Sequence, residues 1–275
     1  MAYATHELFY DSKHTRVWCS NELVVMNDTV TVYWSPIVKG TANLFDRSDD
    51  LSELKYFEPI PVNRTLDVKK FFGPSASMCP AMTDEMTRTF AIKAPIDFYV
   101  LYDKVKQSAA FKYDYGEEFN KLYAGPPNEE NIHQLRYPSY LFFSDEPELT
   151  MTSLPAYYEQ NKFTKNCSIL SGSFDISSWV RQWQVAFKFK DKPEVDIRRG
   201  DVLLYYRINT NKRIRLIKFD SNNQDVVKMM ERCLSFKQYK AKWFVPNKLA
   251  ESYEAFHRHK MHKKMLEIVQ ANKYN

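Results

Sequence analysis

The sequence predicts a β-rich α+β fold, an antiparallel sandwich or partly closed barrel with helices at the C-terminal end. Runs of apolar and aromatic residues with the two-residue period of strands recur between residues 22 and 220. Helical periodicity is convincing only in 223–234 and 247–272. We therefore expect a β-rich domain over 1–220 and a helical segment over 221–275 that packs on it, together forming one structural domain.

The first strands are predicted on either side of a proline-rich segment. Residues 22–34 contain two β-branched runs around Asn27 and Asp28, which tolerate the positive φ of a tight turn. A hairpin is therefore expected there. Prolines and acidic residues dominate 40–80, and each proline removes a backbone donor and fixes φ. This segment is predicted to be extended and to wrap over the sheet.

Two more strand regions follow in the middle of the chain. Residues 89–103 have strand character that Pro95 interrupts. Within this region the alternation places Phe98 and Val100 on the same face. A short aromatic strand is predicted over 137–143.

Three strands are predicted in the block that precedes the helices. Residues 183–190 alternate between apolar and polar side chains, and 202–208 form a β-branched and aromatic run after the turn at Gly200. The turn-forming residues 209–212 then lead into 214–219. Because turn chemistry separates the three strands, we predict that they pair consecutively as a meander.

The C-terminal end predicts helix. In 247–272, Leu249, Tyr253 and Phe256 recur at intervals of four and three residues, which places them on the inward face of one helix. Asn247 is a suitable cap, because its side chain can accept a hydrogen bond from the first turn.

Composition excludes several classes of protein. Aromatic residues make up 15% of the chain, which excludes low-complexity disorder. The six glycines are all at least nine residues apart, so no glycine-rich phosphate loop and no hydrolase nucleophile elbow is present in the sequence. No apolar stretch approaches a membrane span, and the four cysteines have neither disulfide-framework nor zinc-finger spacing. A soluble intracellular protein with reduced thiols is expected.

The histidines do not predict a metal site. None of the six is followed two residues later by Asp or Glu, the usual start of a facial iron triad on a strand. His257 and His259 form the one H-x-H pair, but on a helix they diverge by about 200° and do not share a metal. We expect no metal and no cofactor.

The triplet Glu53-Leu54-Lys55 keeps a nuclease-like or jelly-roll enzyme open as an alternative, although such triplets are common by chance.

Basic residues in 198–218 predict a contact surface. Arg213 and Arg215 share a face of one strand, with Arg207 opposite them across the expected hairpin and Lys218 nearby. Like charges placed so closely favour an acidic or phosphate-bearing partner. The alternative is that these side chains are solvated and cover the sheet with their stems. On the first interpretation, replacing both Arg213 and Arg215 by Glu abolishes partner binding and leaves thermal stability nearly unchanged.

A second basic group lies in the predicted C-terminal helix. Arg258, Lys260, Lys263 and Lys264 form a positive face that suits phosphate contacts. The competing explanation is that cations are favoured late in a helix by its macrodipole.

Five short segments resemble a known family. They are Cys79-Pro80-Ala81, residues 89–97, Gly172-Ser173-Phe174-Asp175-Ile176, Trp179-Val180-Arg181 and Arg198-Arg199-Gly200-Asp201-Val202-Leu203. In order and spacing they are similar to a family of uncharacterised proteins of large tailed bacteriophages, with looser bacterial relatives. The resemblance covers roughly 35–220 and leaves the basic C-terminal helix unmatched. It implies a phage origin, and it identifies no functional residue because the family has no established activity.

These observations favour a non-enzymatic bacteriophage protein that acts through protein–protein contacts. It would be a virion or assembly component or a modulator of host factors, located in the host cytoplasm or the virion. The partner would be a second copy, another phage protein or a host protein, with no membrane involved. One alternative is a nucleic-acid-binding accessory protein that uses the basic hairpin 198–218 and the basic helix 257–264. A jelly-roll or nuclease-like enzyme is the other.

Overall fold

The structure is a computed structural model that describes residues 9–10, 16–17, 29–37, 56–74, 78–103, 105–106, 108–111, 123–124, 132–241 and 249–274. The first run and turn of the expected hairpin, the acidic part of segment 40–80 and the expected cap Asn247 lie outside these residues. The strands are β1 (Phe9–Tyr10), β2 (Arg16–Val17), β3 (Thr29–Pro36), β4 (Ile60–Pro61), β5 (Thr89–Lys93), β6 (Phe98–Asp103), β7 (Ser108–Phe111), β8 (Tyr123–Ala124), β9 (His133–Phe143), β10 (Thr150–Pro155), β11 (Cys167–Ile169), β12 (Ser173–Asp175), β13 (Gln182–Phe189), β14 (Glu194–Ile197), β15 (Val202–Asn209) and β16 (Arg213–Lys218). The helices are α1 (Val62–Thr65), α2 (Val68–Phe72), α3 (Pro80–Arg88), α4 (Lys162–Asn166), α5 (Gln224–Ala241), α6 (Leu249–Arg258) and α7 (Met261–Ala271).

Two large sheets form the centre of the fold. One has the strand order β12-β10-β15-β5-β4, and the other has the order β11-β13-β9-β3-β16 with β8 also paired to β9. Strands β14, β6 and β7 make a smaller sheet. All of these pairs are antiparallel except β16 with β3, which is parallel. The predicted β-rich α+β class with C-terminal helices is confirmed, and the described strands do not close into a barrel.

The main core lies between the two large sheets and reaches the small one. Alternate residues of each strand point into it, as the two-residue period requires. Trp183, Val185, Phe187 and Phe189 of β13 are all buried on this side, as the sequence predicts. Phe98 and Val100 of β6 are buried in the same core, so the predicted faces of both strands are confirmed.

Each large sheet is also covered on its other face. Short helices pack on the five-stranded sheet, where Val62 of α1 and Met86 of α3 contact Tyr205 of β15 and its neighbours. The C-terminal helices cover the six-stranded sheet, where Met265 of α7 joins Phe143 of β9 in a second core. Because both faces of the central strands are buried, strands such as β15 are apolar along most of their length.

The predicted meander is wrong. Strand β13 lies in the six-stranded sheet, β15 lies between β10 and β5 in the five-stranded sheet, and β16 pairs with β3. The turn residues between β15 and β16 therefore carry the chain from one sheet to the other instead of closing a hairpin. Gly200 does occupy the expected turn before β15, where its φ of +92° suits glycine alone.

Helix positions also differ from the prediction. The sequence predicts an extended chain over 40–80, but this segment contains the short helices α1 and α2. They form because Pro61 precedes the first helical residue of α1 and Pro74 follows the end of α2.

The single helix expected over 247–272 is divided into α6 and α7 at Lys260, which has a left-handed φ of +54°. This break allows Phe256 and Met261 to be buried in the same core. Helix α3 is missing from the prediction because Pro80 looks like a helix breaker. Proline is instead favourable at a first helical position, where its absent N–H has no helical partner.

Candidate contact surfaces

The four basic residues expected to form one surface around 198–218 lie in different places. Arg207 is on β15, opposite Thr152 of β10 and Thr89 of β5, so it is not opposite Arg213. Its guanidinium Nη2 lies 2.9 Å from the carboxylate Oε2 of Glu85 on α3. The expected juxtaposition is wrong because β15 and β16 belong to different sheets.

The other three residues of this group lie on β16. Arg213 and Arg215 are exposed and share a face of this edge strand. Lys218 makes cation–π contacts with two aromatic rings. Its ammonium lies 5.6 Å from the ring centre of Trp34 and 5.4 Å from that of Tyr274. Lys218 thereby connects the sheet to the C-terminal tail.

The second basic group lies at the junction of the two C-terminal helices. Arg258, Lys260, Lys263 and Lys264 are all exposed there. Arg258 is in the last turn of α6, where the macrodipole favours a cation, and it also pairs with Glu254. Lys263 and Lys264, in contrast, lie in the first turn of α7, where the macrodipole disfavours a cation. The macrodipole therefore explains Arg258 but not the two lysines.

A groove of about 530 Å³ lies between the edges of the two large sheets. Residues of β16, of the β4–α1 corner and of α3 line it, with Phe90 of β5 in its wall. Its charged residues are Glu58, Arg64, Asp84, Arg88, Lys212 and Arg213. Arg213 is thus the predicted contact residue that the structure brings into a concave site.

An exposed aromatic cluster is the main feature that sequence reasoning missed. Phe71 and Phe72 of α2 pack beside Tyr158, with ring centres 6.4 and 5.4 Å from it, and Tyr158 packs against Tyr157 at 4.5 Å. Tyr157 also contacts Tyr205 of β15 at 5.2 Å. We call these five residues the aromatic cluster. The doublets Phe71-Phe72 and Tyr157-Tyr158 are its only sequence signal, and nothing local predicts that they meet.

The outer members of the cluster remain accessible to solvent. Phe71 is 49% exposed, Phe72 42% and Tyr157 49%. Partial burial, with the charges of Tyr158 and Glu85, raises the pKa of Tyr157 to about 12. The cluster is therefore an uncharged aromatic surface at physiological pH.

A buried polar network joins the turn after β12 to α6. The Asp175 carboxylate accepts hydrogen bonds from the Ser177 N–H at 2.8 Å, from the Ser177 hydroxyl at 2.6 Å and from the Ser178 hydroxyl at 2.9 Å. The Ser178 oxygen also contacts Nε2 of His257. Since Ser178 donates its one proton to Asp175, His257 acts as the donor to Ser178 in this arrangement. The network therefore fastens α6 to the sheet, and it does not have the hydrogen bonding of an activated serine nucleophile.

The histidines near this network do not assemble a metal site. The rings of His257 and His262 are 4.7 Å apart, and partial burial, together with the charges of His257 and Lys263, lowers the pKa of His262. In the described part of the chain, no group of three or more His, Cys, Asp or Glu residues is placed to hold a metal ion. Nor is any helix there long and apolar enough to cross a membrane.

Cys167, which is buried, and Cys233, which is partly buried, should both resist thiol reagents. Burial raises the pKa of Cys167 and Cys233 to about 12. Because the thiolate is the reactive form, iodoacetamide at pH 8 should modify both residues at least about a hundredfold more slowly in the folded protein than in urea. Peptide-level mass spectrometry measures the rates, with the exposed Cys79 as the internal control. Equal rates in the folded and unfolded protein would contradict the described burial.

Comparison of the chain with protein-family models, with curated proteins and with solved structures finds no match.

Proposed function

We propose that the chain is a non-enzymatic bacteriophage protein that acts through protein–protein contacts, as a virion or assembly component or as a modulator of host factors. The observation that carries the proposal is the exposed aromatic cluster. Contiguous exposed aromatic rings are rare on monomeric proteins unless they bind something. Phe, Tyr and Arg are enriched at the centres of protein interfaces, where they supply most of the binding free energy.

The surroundings of the cluster support the same proposal. Arg207 and Tyr205 alternate on β15, so both face the outer side of the five-stranded sheet. The charges of Arg207 and Glu85 act on the Tyr157 hydroxyl, which places this ion pair beside the cluster. An aromatic centre with a charged rim is the usual anatomy of a protein interface. The phage origin rests on the five segments that resemble the phage family.

Mass spectrometry of purified phage particles tests the proposal directly. A virion component is present in wild-type particles, and the triple substitution Phe71→Ser, Phe72→Ser and Tyr157→Ser should reduce its amount at least about tenfold. If the chain is absent from particles, the same variants are compared by quantitative co-purification from infected cells.

A matched control uses another exposed apolar side chain. Leu101 of β6 is 43% exposed, and Leu101→Ser should leave particle content and co-purifying proteins unchanged. Thermal melting of every variant checks that each one is folded. Normal incorporation and normal partner yield of the folded triple variant would refute the aromatic cluster as the contact site.

Nucleic-acid binding is the second candidate, because Lys263 and Lys264 occupy the first turn of α7 without support from the macrodipole. The N–H groups of a first helical turn and nearby lysines together suit phosphate. Binding of a DNA oligonucleotide at 50 and 200 mM salt should then weaken steeply with salt and be lost in Lys263→Glu with Lys264→Glu. Salt-independent or absent binding would exclude this candidate.

A further inference from the structure

In the part of the chain that the structure describes, the outer edge of β16 is open over most of its length. β16 pairs with β3 on one side, and among the described strands none pairs with it on the other. Successive residues of a strand direct their backbone groups to opposite edges. The N–H of Phe219 donates to the carbonyl of Trp34 on β3 at 3.0 Å. The backbone groups of the odd-numbered residues of β16 therefore point to β3, and those of the even-numbered residues point away from it. The backbone N–H and C=O groups of Ile214 and Leu216 therefore lie on the open edge.

The C-terminal tail shows how this edge accepts extended chain. The N–H of Tyr274 donates to the carbonyl of Lys218 at 2.9 Å, and the N–H of Asp220 donates to the carbonyl of Asn272 at 3.1 Å. The connecting bridge is antiparallel. One end of the edge therefore already carries an added antiparallel segment, and residues 213–217 continue the same edge.

The groove between the two sheets runs beside this open edge. Ile214 and Leu216 line one side of it, and Phe90 lines its wall. On the other side is β4, the last strand of the five-stranded sheet, flanked by Pro59 and ending in Pro61. Because proline has no N–H, the β4 edge lacks donors there. β16 is consequently the edge at which an added strand finds both donors and acceptors.

The charges of the groove favour an acidic occupant. Four basic residues line it against two acidic ones, Glu58 and Asp84, and one of the basic residues, Lys212, is already paired with Glu146 at 2.8 Å. Asp84 is already paired with Arg88 at 2.6 Å. Arg64 and Arg213 are exposed, and neither forms an ion pair with an acidic residue of the described chain. A carboxylate brought into the groove would find two such guanidinium groups, which bind carboxylates with paired hydrogen bonds.

We infer that the groove binds an extended acidic segment of a partner protein, which adds to β16 as an antiparallel strand. The backbone of the segment pairs with Ile214 and Leu216, as in other recognition by strand addition. Its apolar side chains alternate into the seam beside Phe90, and its acidic side chains reach Arg213 and Arg64. The site uses none of the residues of the aromatic cluster, so an experiment can refute this site without refuting the function proposed above, and the reverse.

Fluorescence anisotropy with defined peptides and the full chain tests this inference. The probe is a fluorescein-labelled Thr-Glu-Val-Glu-Val-Thr peptide at 50 and 300 mM salt. A Thr-Lys-Val-Lys-Val-Thr peptide reverses the charge, and a Thr-Glu-Pro-Glu-Pro-Thr peptide keeps the charge but removes two backbone donors. We expect the glutamate peptide to bind at least about tenfold more tightly than either control, with an affinity that falls as salt rises.

Variants of β16 provide a matched pair. Arg213→Glu should weaken binding of the glutamate peptide at least about tenfold, because Arg213 lines the groove. Arg215→Glu makes the same charge change two residues along the strand, outside the groove lining, and should weaken it less than about threefold at 300 mM salt. Phe72→Ser, in the aromatic cluster, should bind as the unmodified protein does.

Three results would overturn the inference. One is no binding of the glutamate peptide by the unmodified protein up to about 1 mM. Another is equal binding of the proline peptide, which would show that no strand is added. The last is an equal loss in Arg213→Glu and Arg215→Glu, with both variants folded by circular dichroism, which would show attraction to net charge without a site.

Discussion

Replacing Phe187 by alanine should lower the free energy of unfolding by about 3–5 kcal/mol. Phe187 lies in the middle of the main core and is completely buried. Its ring is 5.3 Å from that of Phe163, 5.4 Å from that of Phe189 and 5.5 Å from that of His133. These neighbours come from different elements, so they cannot all collapse into the space that the ring leaves. The loss therefore includes a cavity cost in addition to the lost transfer of the ring from water.

Urea denaturation followed by circular dichroism measures this loss. Phe187→Leu fills most of the same volume and should cost less than half as much. Lys188→Ala, one residue along β13 on the exposed side, should change stability by no more than about 0.5 kcal/mol. A loss below about 1 kcal/mol for Phe187→Ala would show that β13 does not lie in a rigid core. The free energy of unfolding of the whole domain is expected to be about 5–15 kcal/mol, so the alanine variant should lose a large fraction of its stability.

The face of each strand could be predicted from sequence because it is a local property. On β13, alternation of large apolar and polar residues is sufficient to identify the buried side, and the structure confirms it. The same holds for the break at Pro95 between β5 and β6. These patterns depend on the period of an extended chain and not on its neighbours.

Strand partners could not be predicted in the same way. Turn-forming residues after Asn209 are compatible with a hairpin and equally with a corner that crosses between sheets. Strand β15 is buried on both faces, so its sequence does not indicate which strands flank it. Only the complete sheet shows that β16 pairs with β3, whose residues lie about 180 positions earlier in the chain.

The candidate sites show the same limit. The basic residues of β16 and of the C-terminal helices are visible in the sequence, but their separation and the groove at Arg213 follow from the two-sheet architecture. The aromatic cluster needs Phe72 and Tyr158 to meet across the outer face of a sheet. The Asp175 network likewise joins residues 79 positions apart through Ser178 and His257. Such sites are products of long-range packing, and the sequence contains only their individual members.

Replacing Asp175 by alanine should cost about 3 kcal/mol and loosen α6 before the rest of the fold. The carboxylate satisfies three donors from Ser177 and Ser178, all within a buried turn. Without it, these donors stay buried and unpaired, which costs more than the net value of the bonds themselves. Helix α6 is tied to the turn through His257 and through the Tyr253 hydroxyl, which accepts from the backbone N–H of Asp175 at 3.0 Å.

Urea denaturation and amide hydrogen exchange over α6 measure the two parts of this prediction. Asp175→Asn keeps an acceptor oxygen and should lose about half as much stability. Ser178→Ala removes the hydrogen bond to Asp175 and the link to His257 but keeps both bonds from Ser177, and it should cost about 1 kcal/mol. Exchange in α6 should accelerate in both the Asp175→Ala and the Ser178→Ala proteins, with β13 protected as before, because local opening of one element does not require global unfolding. Uniformly faster exchange across both sheets would instead mean that Asp175 supports the whole core. The network would then be a general stabilising element with no particular role in the attachment of α6.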